Sequence, residues 1–191
     1  ECDYVSPLKE GEVMLMVGIE GNSEVVEQHL KEISTIAEAN QVSLKVTIEN
    51  EKATEAWNAY RGIHQSALSK FPSSLKGKTS MPISKLGDML KVVKEVGGKY
   101  NVEMGITAHC GSGILHSYVA AEKDDALNII GDLRQAAVRL GGFFMVEAAP
   151  LWVRKSVDVW PRPSAYALME RLKTALDPKN ILNPGRVVGG Q

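Results

Sequence analysis

Two histidines flank a short glycine-rich turn near the middle of the sequence. His109 and His116 stand seven positions apart in the stretch ITAHCGSGILHSYV. If His109 ends one strand and His116 begins the next, the imidazoles can face each other across a hairpin, with Cβ atoms about 5 Å apart. Two imidazoles placed in this way can share one divalent ion. The pair is therefore a candidate metal site that needs a third ligand.

Glu147 is the candidate for that third ligand. It is the one charged residue of the apolar segment FFMVEAAP, and its burial without a cation or a hydrogen-bond partner would be costly. Two histidines and a carboxylate suit a divalent metal, zinc or a similar ion, with one position open for a substrate oxygen. The other interpretation is that the histidines cap backbone groups of the turn and that Glu147 meets an arginine. The spacing alone favours this second interpretation.

The cysteine content and the charge balance exclude several classes of protein. Cys2 and Cys110 are too few for a secreted disulfide scaffold and lack the spacing of a zinc ribbon. We therefore expect a reducing, cytoplasmic setting, and we interpret Cys110 as a small buried thiol because no base stands beside it. The 22 basic and 23 acidic side chains give a net charge of -1, without a block of like charge that would bind nucleic acid or a membrane surface.

Length and hydropathy predict one globular module. The chain has 191 residues, of which 44% are hydrophobic, and this is enough for one core. Its most apolar run, GGFFMVEAAPLWV, is interrupted by Glu147 and is too short to span a bilayer. The chain begins at Glu1 rather than at a methionine, immediately before an apolar segment, and we expect it to be a fragment that lacks its N-terminal part.

The first fifty residues predict a βαβ unit. Residues 13–19 (VMLMVGI) form a continuous apolar run, as in a strand that is buried on both faces. A helix capped by Asn22 or Ser23 follows, and its apolar residues recur at helical spacing. Over residues 42–48 apolar and polar side chains alternate, which predicts a half-buried strand.

The remainder of the sequence predicts further strands and helices in alternation. A hairpin is expected across the CGSG turn, and Gly97-Gly98 supplies a helix stop. These elements favour an α+β fold in which helices cover a mainly antiparallel sheet, most economically in a ferredoxin-like arrangement. The predicted strands are 76–81, 102–108, 114–120 and 143–147, and the predicted helices are about 53–69, 84–98, 124–141 and a last one through Met169, Leu172 and Leu176.

Four segments resemble one enzyme family. The tail LKTALDPKNILNPGRVV looks like the end of the FAD-linked oxidases of the vanillyl-alcohol-oxidase type, in which a helix is followed by FDP-x-x-ILNPGK. AHCGSGILH is similar to the GHxGDGNLH segment of the family's D-2-hydroxyacid dehydrogenases and glycolate oxidase subunits. GGFFMVEAA takes the place of their GGxxSGEHG, and IEGNSEVVEQHL resembles their EG-x-x-x-x-V segment. The resemblance covers nearly the whole chain and implies that residues 1–191 are the C-terminal, or cap, domain of such an oxidase.

The resemblance also implies a set of site residues. It assigns His109, His116 and Glu147 to the family's metal ligands. Arg61, in WNAYR, is similar to the arginine of a W-x-x-R segment that grips a substrate carboxylate, although the spacing here is one residue longer. Lys76 falls where related dehydrogenases have an anion-binding lysine. The alternative for Arg61 and Lys76 is a solvated surface charge.

The tail is implied to lie near the flavin. Asn183 belongs to the NPG turn, which in the family lies near the flavin, and Arg186 or Asn183 could help to dock the flavin domain. The alternative for Asn183 is turn chemistry. FAD itself would be bound mainly by an N-terminal domain that is absent from this chain.

The sequence departs from the family pattern at several positions. Ala148 stands where the family places the histidine that takes the hydroxyl proton, Ser112 replaces an aspartate and Ile114 replaces an asparagine. An alanine cannot act as a general base. Either another group, such as a metal-bound hydroxide or Tyr118, takes the proton, or the chain is a divergent subunit that keeps the fold without turnover.

The resemblance implies two alternative functions. The first is the substrate domain of an FAD-dependent oxidoreductase that oxidises a 2-hydroxy acid such as glycolate or D-lactate, with hydride transfer from C2 to flavin N5. The second is an assembly or structural subunit of a multi-subunit flavin oxidase. The expected partners are the FAD-binding domain of the same protein and other oxidase subunits such as an iron–sulfur protein, through which a cytoplasmic protein would lie at the membrane periphery.

Overall fold

The chain divides into two compact units, Glu1–His64 and Gln65–Gln191. The computed structural model describes residues 12–43, 47–70, 75–120, 123–160, 162 and 164–184. Among the described helices, none combines the length and the apolar character that crossing a membrane requires.

The first unit contains two helices, α1 (Ser23–Ala39) and the start of α2 (Asn50–Lys70). The predicted cap of α1 is confirmed, because the Asn22 side chain accepts a hydrogen bond of 3.0 Å from the Val25 amide and satisfies one free N–H group of the first turn. The predicted apolar stripe is confirmed as well, since its four members are half-buried while their neighbours along the helix are mostly exposed. These four are Val26, Leu30, Ile33 and Ala37.

The predicted βαβ opening is wrong. Residues 13–19 do not form a strand, and Val13 and Leu15 are 74% and 69% exposed. Residues 42–43 and 47–48 are not in a strand either, and residues 44–46 lie outside the described part of the chain. A strand needs a neighbour to receive its backbone hydrogen bonds, and none of the described residues of this unit offers one. An apolar run predicts a preference for burial but not a pairing partner.

The second unit is built on one four-stranded sheet. The strands lie in the order β2-β3-β1-β4, and each neighbouring pair is antiparallel. One helix connects β1 to β2 and another connects β3 to β4, so the ferredoxin-like α+β fold expected from the sequence is confirmed. The elements are β1 (Leu75–Ser80), α3 (Leu86–Tyr100), β2 (Met104–His109), β3 (Ile114–Val119), α4 (Lys123–Arg139) and β4 (Phe143–Ala148).

The core lies between one face of this sheet and the two helices α3 and α4. Full burial of one large aliphatic or aromatic side chain stabilises a fold by about 1.5–3 kcal/mol, so this layer supplies most of the driving force of the unit. Gly77 is needed beneath it, because a Cβ there would overlap the ring of Phe144. Fully buried members are Leu75, Met89, Val93, Leu115, Val119, Ile129, Leu133 and Phe144.

The end of α3 differs from the prediction. The helix runs past Gly97-Gly98 to Tyr100, and Asn101 closes it in the left-handed conformation with φ 51°. Gly97 is buried, and a Cβ there would lie only 3.1 Å from the sulfur of Met104. The first glycine of the pair therefore allows the strand to approach the helix instead of ending the helix.

Two helices follow the sheet, α5 (Leu151–Ser156) and α6 (Tyr166–Leu176). The sequence predicts α6 but not α5, which is too short to show helical periodicity. Val153 of α5 is buried and belongs to the core of the second unit.

Candidate functional site

Polar side chains share the face of the sheet that points away from α3 and α4. In β1 the apolar side chain of Leu75 faces the core, so alternation places Lys76 and Lys78 on the other face. The strand pairing sets Lys76 opposite Tyr118 and Lys78 opposite His116. We call this surface the polar face and define it by Lys76, Lys78, Thr107, His109, His116, Tyr118, Glu147 and Ala148.

His109 and His116 lie on this face, as the sequence predicts, but they are not directly opposite each other. His109 pairs with Ile114 and His116 pairs with Thr107, so the two histidines are diagonal neighbours. Their ring centroids are 6.1 Å apart with an angle of 80° between the rings. His116 is buried with 7% exposure, whereas His109 is exposed at the end of its strand.

The turn between the two strands causes this offset. Residues 110–112 form a short 3-10 turn, and Gly113 closes it with a φ of 63°, in the left-handed region. A Cβ at Gly113 would overlap the carbonyl oxygen of Met81, so only glycine fits. Cys110 begins the turn and is exposed with a free thiol, so its interpretation as a buried thiol is wrong.

Glu147 has a cation as its partner, and the cation is a lysine. The Lys76 ammonium lies 2.7 Å from Oε2 of Glu147, and Nδ1 of His116 lies 3.4 Å from the same oxygen. The three side chains are 15%, 9% and 28% exposed for Lys76, His116 and Glu147 respectively. The expected need of Glu147 for a partner is thus confirmed, while the alternative of an arginine is wrong.

The lysine also controls the ionisation of Glu147. Partial burial acts to raise the pKa of this carboxyl group. The hydrogen bond from Lys76 and its charge, with a smaller contribution from His116, outweigh the burial, and the pKa lies below its ordinary value of 4.5. Glu147 is therefore a carboxylate at neutral pH.

A β-bulge brings Glu147 to this position. Gly77 pairs with Val146 and Lys76 pairs with Ala148, so Glu147 is an extra residue between two paired ones. The same shift puts Ala148 beside Lys76 on one side, while Tyr118 pairs with Lys76 on the other. Tyr118, Lys76 and Ala148 consequently form one row across three strands. The pattern of the sequence contains no signal for this bulge.

The three predicted metal ligands do not fit a divalent ion as they are arranged here. Within the described ranges of the chain, no group of three histidine, cysteine or acidic side chains is placed to hold one metal ion. His116 and Glu147 are brought together, but the oxygen between them is taken by the ammonium of Lys76, and His109 stands to one side. The metal site stays a prediction of the sequence.

Arg61 lies on α2 in the first unit. Its side chain is exposed, and Nη1 donates a hydrogen bond of 2.9 Å to Oδ1 of Asn58, one helical turn away. Its predicted contact with a substrate carboxylate stays a prediction.

The tail after α6 is held by a residue that the sequence analysis missed. Asp177 is 7% exposed and accepts hydrogen bonds from the amides of Ile181 at 3.0 Å and Leu182 at 2.9 Å, and a further one from Lys173. Nζ of Lys173 also donates to the Leu182 carbonyl at 2.6 Å. We call this arrangement of Lys173, Asp177 and the two amides the tail clasp. The sequence signal that could have predicted the tail clasp is a lysine four residues before the Asp-Pro pair.

The two predicted flavin contacts lie at the end of the tail. Asn183 has a left-handed φ of 45°, which an asparagine tolerates well and which agrees with a role in the turn. Arg186 lies outside the described residues. The predicted contact of either residue with flavin stays a prediction.

This chain is similar to known proteins over most of its length. A family model for FAD linked oxidases, C-terminal domain, matches residues 4–187. The glycolate oxidase subunit GlcD of Bacillus subtilis (strain 168) is 25% identical over 182 residues, which cover 91% of this chain and 39% of that protein. The mitochondrial D-lactate dehydrogenase [cytochrome] of Kluyveromyces lactis is 25% identical over 185 residues, covering 91% and 32%. The D-lactate dehydrogenase of Archaeoglobus fulgidus is 32% identical over 112 residues, covering 56% and 25%.

The chain thus spans between about a third and two fifths of the length of the first two relatives, 32% and 39%. The family model matches nearly all of it, including the strands that carry the polar face and the tail clasp. This chain therefore belongs to the FAD-linked oxidases, as a member of their C-terminal domain family.

Proposed function

We propose that this chain is the substrate domain of an FAD-dependent oxidoreductase that oxidises a 2-hydroxy acid such as glycolate or D-lactate to the 2-oxo acid. The observation that carries the proposal is the row Tyr118, Lys76 and Ala148, with His116 and Glu147 beside it on one half-buried sheet face. FAD, when bound, would supply the acceptor for the hydride that leaves C2 of the acid. The relatives named glycolate oxidase and D-lactate dehydrogenase support this substrate class.

The charge of the polar face favours an anionic ligand. Lys76 and Lys78 contribute two positive charges and Glu147 contributes one negative charge, so the face carries net positive charge even with neutral histidines. Both lysines are half-buried, and charges in such a setting are screened less than charges at the surface. The ammonium of Lys76 has three N–H donors, of which Glu147 needs one, so a substrate carboxylate can accept another.

Tyr118, acting as the phenolate, is the proposed acceptor for the hydroxyl proton, and it becomes the neutral phenol when it takes that proton. It is 1% exposed and stands opposite Lys76 in the strand pairing, so an acid bound by the lysine would lie beside the phenol. Ala148 on the other side of Lys76 carries no group that can take a proton. In the oxidation, the hydroxyl proton goes to Tyr118 and the hydride leaves C2 for the flavin, so a C=O bond forms at C2.

The test is anaerobic flavin reduction in the full-length protein. Glycolate, D-lactate and L-lactate are mixed with the oxidised protein, and the loss of flavin absorbance is followed over time. We expect at least one of these acids to bleach the flavin. A matched pair of variants, Lys76→Met on the polar face and Lys94→Met on the exposed side of α3, shows whether the polar face is used. Only the first should slow the bleaching.

A second candidate function, an assembly subunit without turnover, is favoured by the alanine at position 148 and by the ion pair of Lys76 with Glu147. A face that lacks a histidine base and whose lysine is bound to Glu147 could serve a subunit that keeps the fold for assembly with other oxidase subunits. If no 2-hydroxy acid bleaches the flavin while the protein purifies with partner subunits, this second function replaces the first.

A further inference from the structure

We infer that the ammonium of Lys76 takes the position of positive charge that a divalent ion would need beside His116 and Glu147, so that this cluster is built to work without a metal. The inference concerns only this cluster and does not depend on the proposed oxidation of 2-hydroxy acids. It starts from one atom, Oε2 of Glu147, which both Lys76 and His116 approach.

Oε2 of Glu147 is closer to the lysine than to the histidine. Nζ of Lys76 is 2.7 Å away, the normal length of a charge-assisted hydrogen bond, whereas Nδ1 of His116 is 3.4 Å away. A metal bound between Nδ1 of His116 and this oxygen would stand next to the ammonium. Two neighbouring cations repel each other, and the repulsion is strong where water is partly excluded.

Lys76 is held in place within the sheet. Only 15% of its side chain is exposed, and its strand lies between β3 and β4 in the sheet. Its cross-strand neighbours are the buried Tyr118 and the small Ala148. The lysine is thus flanked on both sides within the sheet, and its ammonium lies 2.7 Å from Glu147.

His109 lies outside the contacts that are made around Glu147. A metal site made from this face would need His109 as a ligand, yet this residue is exposed at the strand end, whereas Lys76 and His116 approach Oε2 of Glu147. The bulge turns Glu147 toward Lys76 in the centre of the sheet, while His109 stands at the turn. The face therefore favours a compact Lys76, Glu147 and His116 cluster over a site that includes His109.

The experiment is a zinc titration of the full-length protein after dialysis against a chelator. Bound zinc is measured by elemental analysis, and the melting temperature is recorded with and without zinc. We expect the wild-type protein to bind no stoichiometric zinc and to melt at the same temperature in both conditions. Lys76→Met keeps a side chain of similar length but frees the Glu147 oxygen, so it should bind zinc at least about tenfold more tightly than the wild type.

Three further variants make the result specific. Lys78→Met removes a lysine from the same strand and face that does not bind Glu147, and it should behave like the wild type. Lys76→Arg keeps the positive charge and should also exclude zinc. The double variant Lys76→Met with Glu147→Gln should lose the zinc that Lys76→Met gains. If Lys76→Met does not fold, the wild type and Lys76→Arg still decide the question.

Two results overturn the inference. One is a wild-type protein that holds one zinc per chain, removed by His109→Ala, His116→Ala or Glu147→Ala. The other is a folded Lys76→Met variant that gains no zinc, or that gains no more than Lys78→Met. Flavin reduction is measured in a separate experiment, so the two ideas can fail independently. A wild-type protein that binds zinc and oxidises a 2-hydroxy acid overturns this inference alone. A wild-type protein that binds no zinc and oxidises no such acid overturns the proposed function alone.

Discussion

In the described part of the second unit, two pairs of a lysine and a carboxylate have a mostly buried lysine, and they are built in opposite ways. Lys76 and Glu147 come from different strands, separated along the chain by α3, β2, β3 and α4. Lys173 and Asp177 are four residues apart at the end of one helix. Both lysines are mostly shielded from solvent, with 15% and 21% of their side chains exposed.

The surroundings of the two carboxylates explain what each pair does. Asp177 accepts two backbone amides in addition to its lysine, so its oxygens are used within the tail clasp. Glu147 shares one oxygen between Lys76 and His116 and retains 28% exposure, so its pair remains open to a ligand. The local pair holds the segment that follows α6, and the long-range pair belongs to the proposed site.

The largest effect on the rate of flavin reduction is expected for Tyr118, which lies beside Lys76 of the long-range pair. In the full-length protein, Tyr118→Phe removes the proposed proton acceptor and should slow flavin reduction by a 2-hydroxy acid by about 10²–10⁴-fold. Stopped-flow absorbance measures the rate. Tyr100→Phe, which removes a hydroxyl bound to Asp132 on the helical side of the sheet, should leave the rate unchanged. Equal rates for Tyr118→Phe and the wild type would rule out the phenol as the base.

Replacing each of the two lysines with methionine separates the roles of the two pairs. Lys76→Met should lower kcat/KM for the acid by about 10–100-fold, because a charge-assisted hydrogen bond to the substrate is lost, and most of the change should lie in KM. Lys173→Met should leave both constants unchanged. Steady-state kinetics on the same batch of protein measures them. If both variants are equally impaired, the division into a site pair and a clasp pair is wrong.

A smaller effect is expected for the carboxylate of the tail clasp. Asp177→Ala leaves the amides of Ile181 and Leu182 without their acceptor, so their hydrogen exchange should become about threefold to tenfold faster. Mass spectrometry of the C-terminal peptides reads this out. Asp132→Ala, which breaks a lysine pair between α3 and α4, is the matched control and should leave these peptides unchanged.

The smallest effect is the response of the tail clasp to acid. The hydrogen bond from Lys173, opposed by desolvation and assisted by the amides of Leu182 and Ile181, holds the pKa of Asp177 below its ordinary value of 3.8. A carboxyl group with a lowered folded pKa stabilises the fold above its unfolded pKa, and this contribution is lost as pH falls through the folded pKa. Exchange at the tail amides, corrected for intrinsic rates, should therefore rise as the pH falls below the ordinary pKa of 3.8 in the wild type but not in Asp177→Ala.

The sheet was largely predictable, because alternation along a strand shows which side chains face the core. The segments 76–81 and 143–147 were predicted to within one residue of β1 and β4, and the hairpin around Gly113 was predicted from its turn. The first unit was less predictable. Residues 13–19 are as apolar as a buried strand but have no partner in the described part of that unit, and apolar composition does not contain pairing information.

The site was predictable residue by residue but not as an arrangement. His116, Glu147, Lys76 and Tyr118 were each identified from the sequence, and the tertiary structure places all four on one face. The expected contact between His109 and His116 across the hairpin became a diagonal one, because the turn sets the register. The partner of Glu147 could not be predicted, since the bulge that turns Glu147 toward Lys76 depends on how β4 meets β1.

The sequence by itself determined the contacts that lie within one or two helical turns. Lys173 and Asp177 meet because residues four apart share one side of a helix. Asn22 caps α1 because its side-chain oxygen reaches the amide of Val25, three residues later. Only the tertiary structure decided that Lys76 lies against Glu147. Two strands must be placed side by side in one register, across two intervening helices, before these side chains can touch, and that register comes from the packing of the whole sheet.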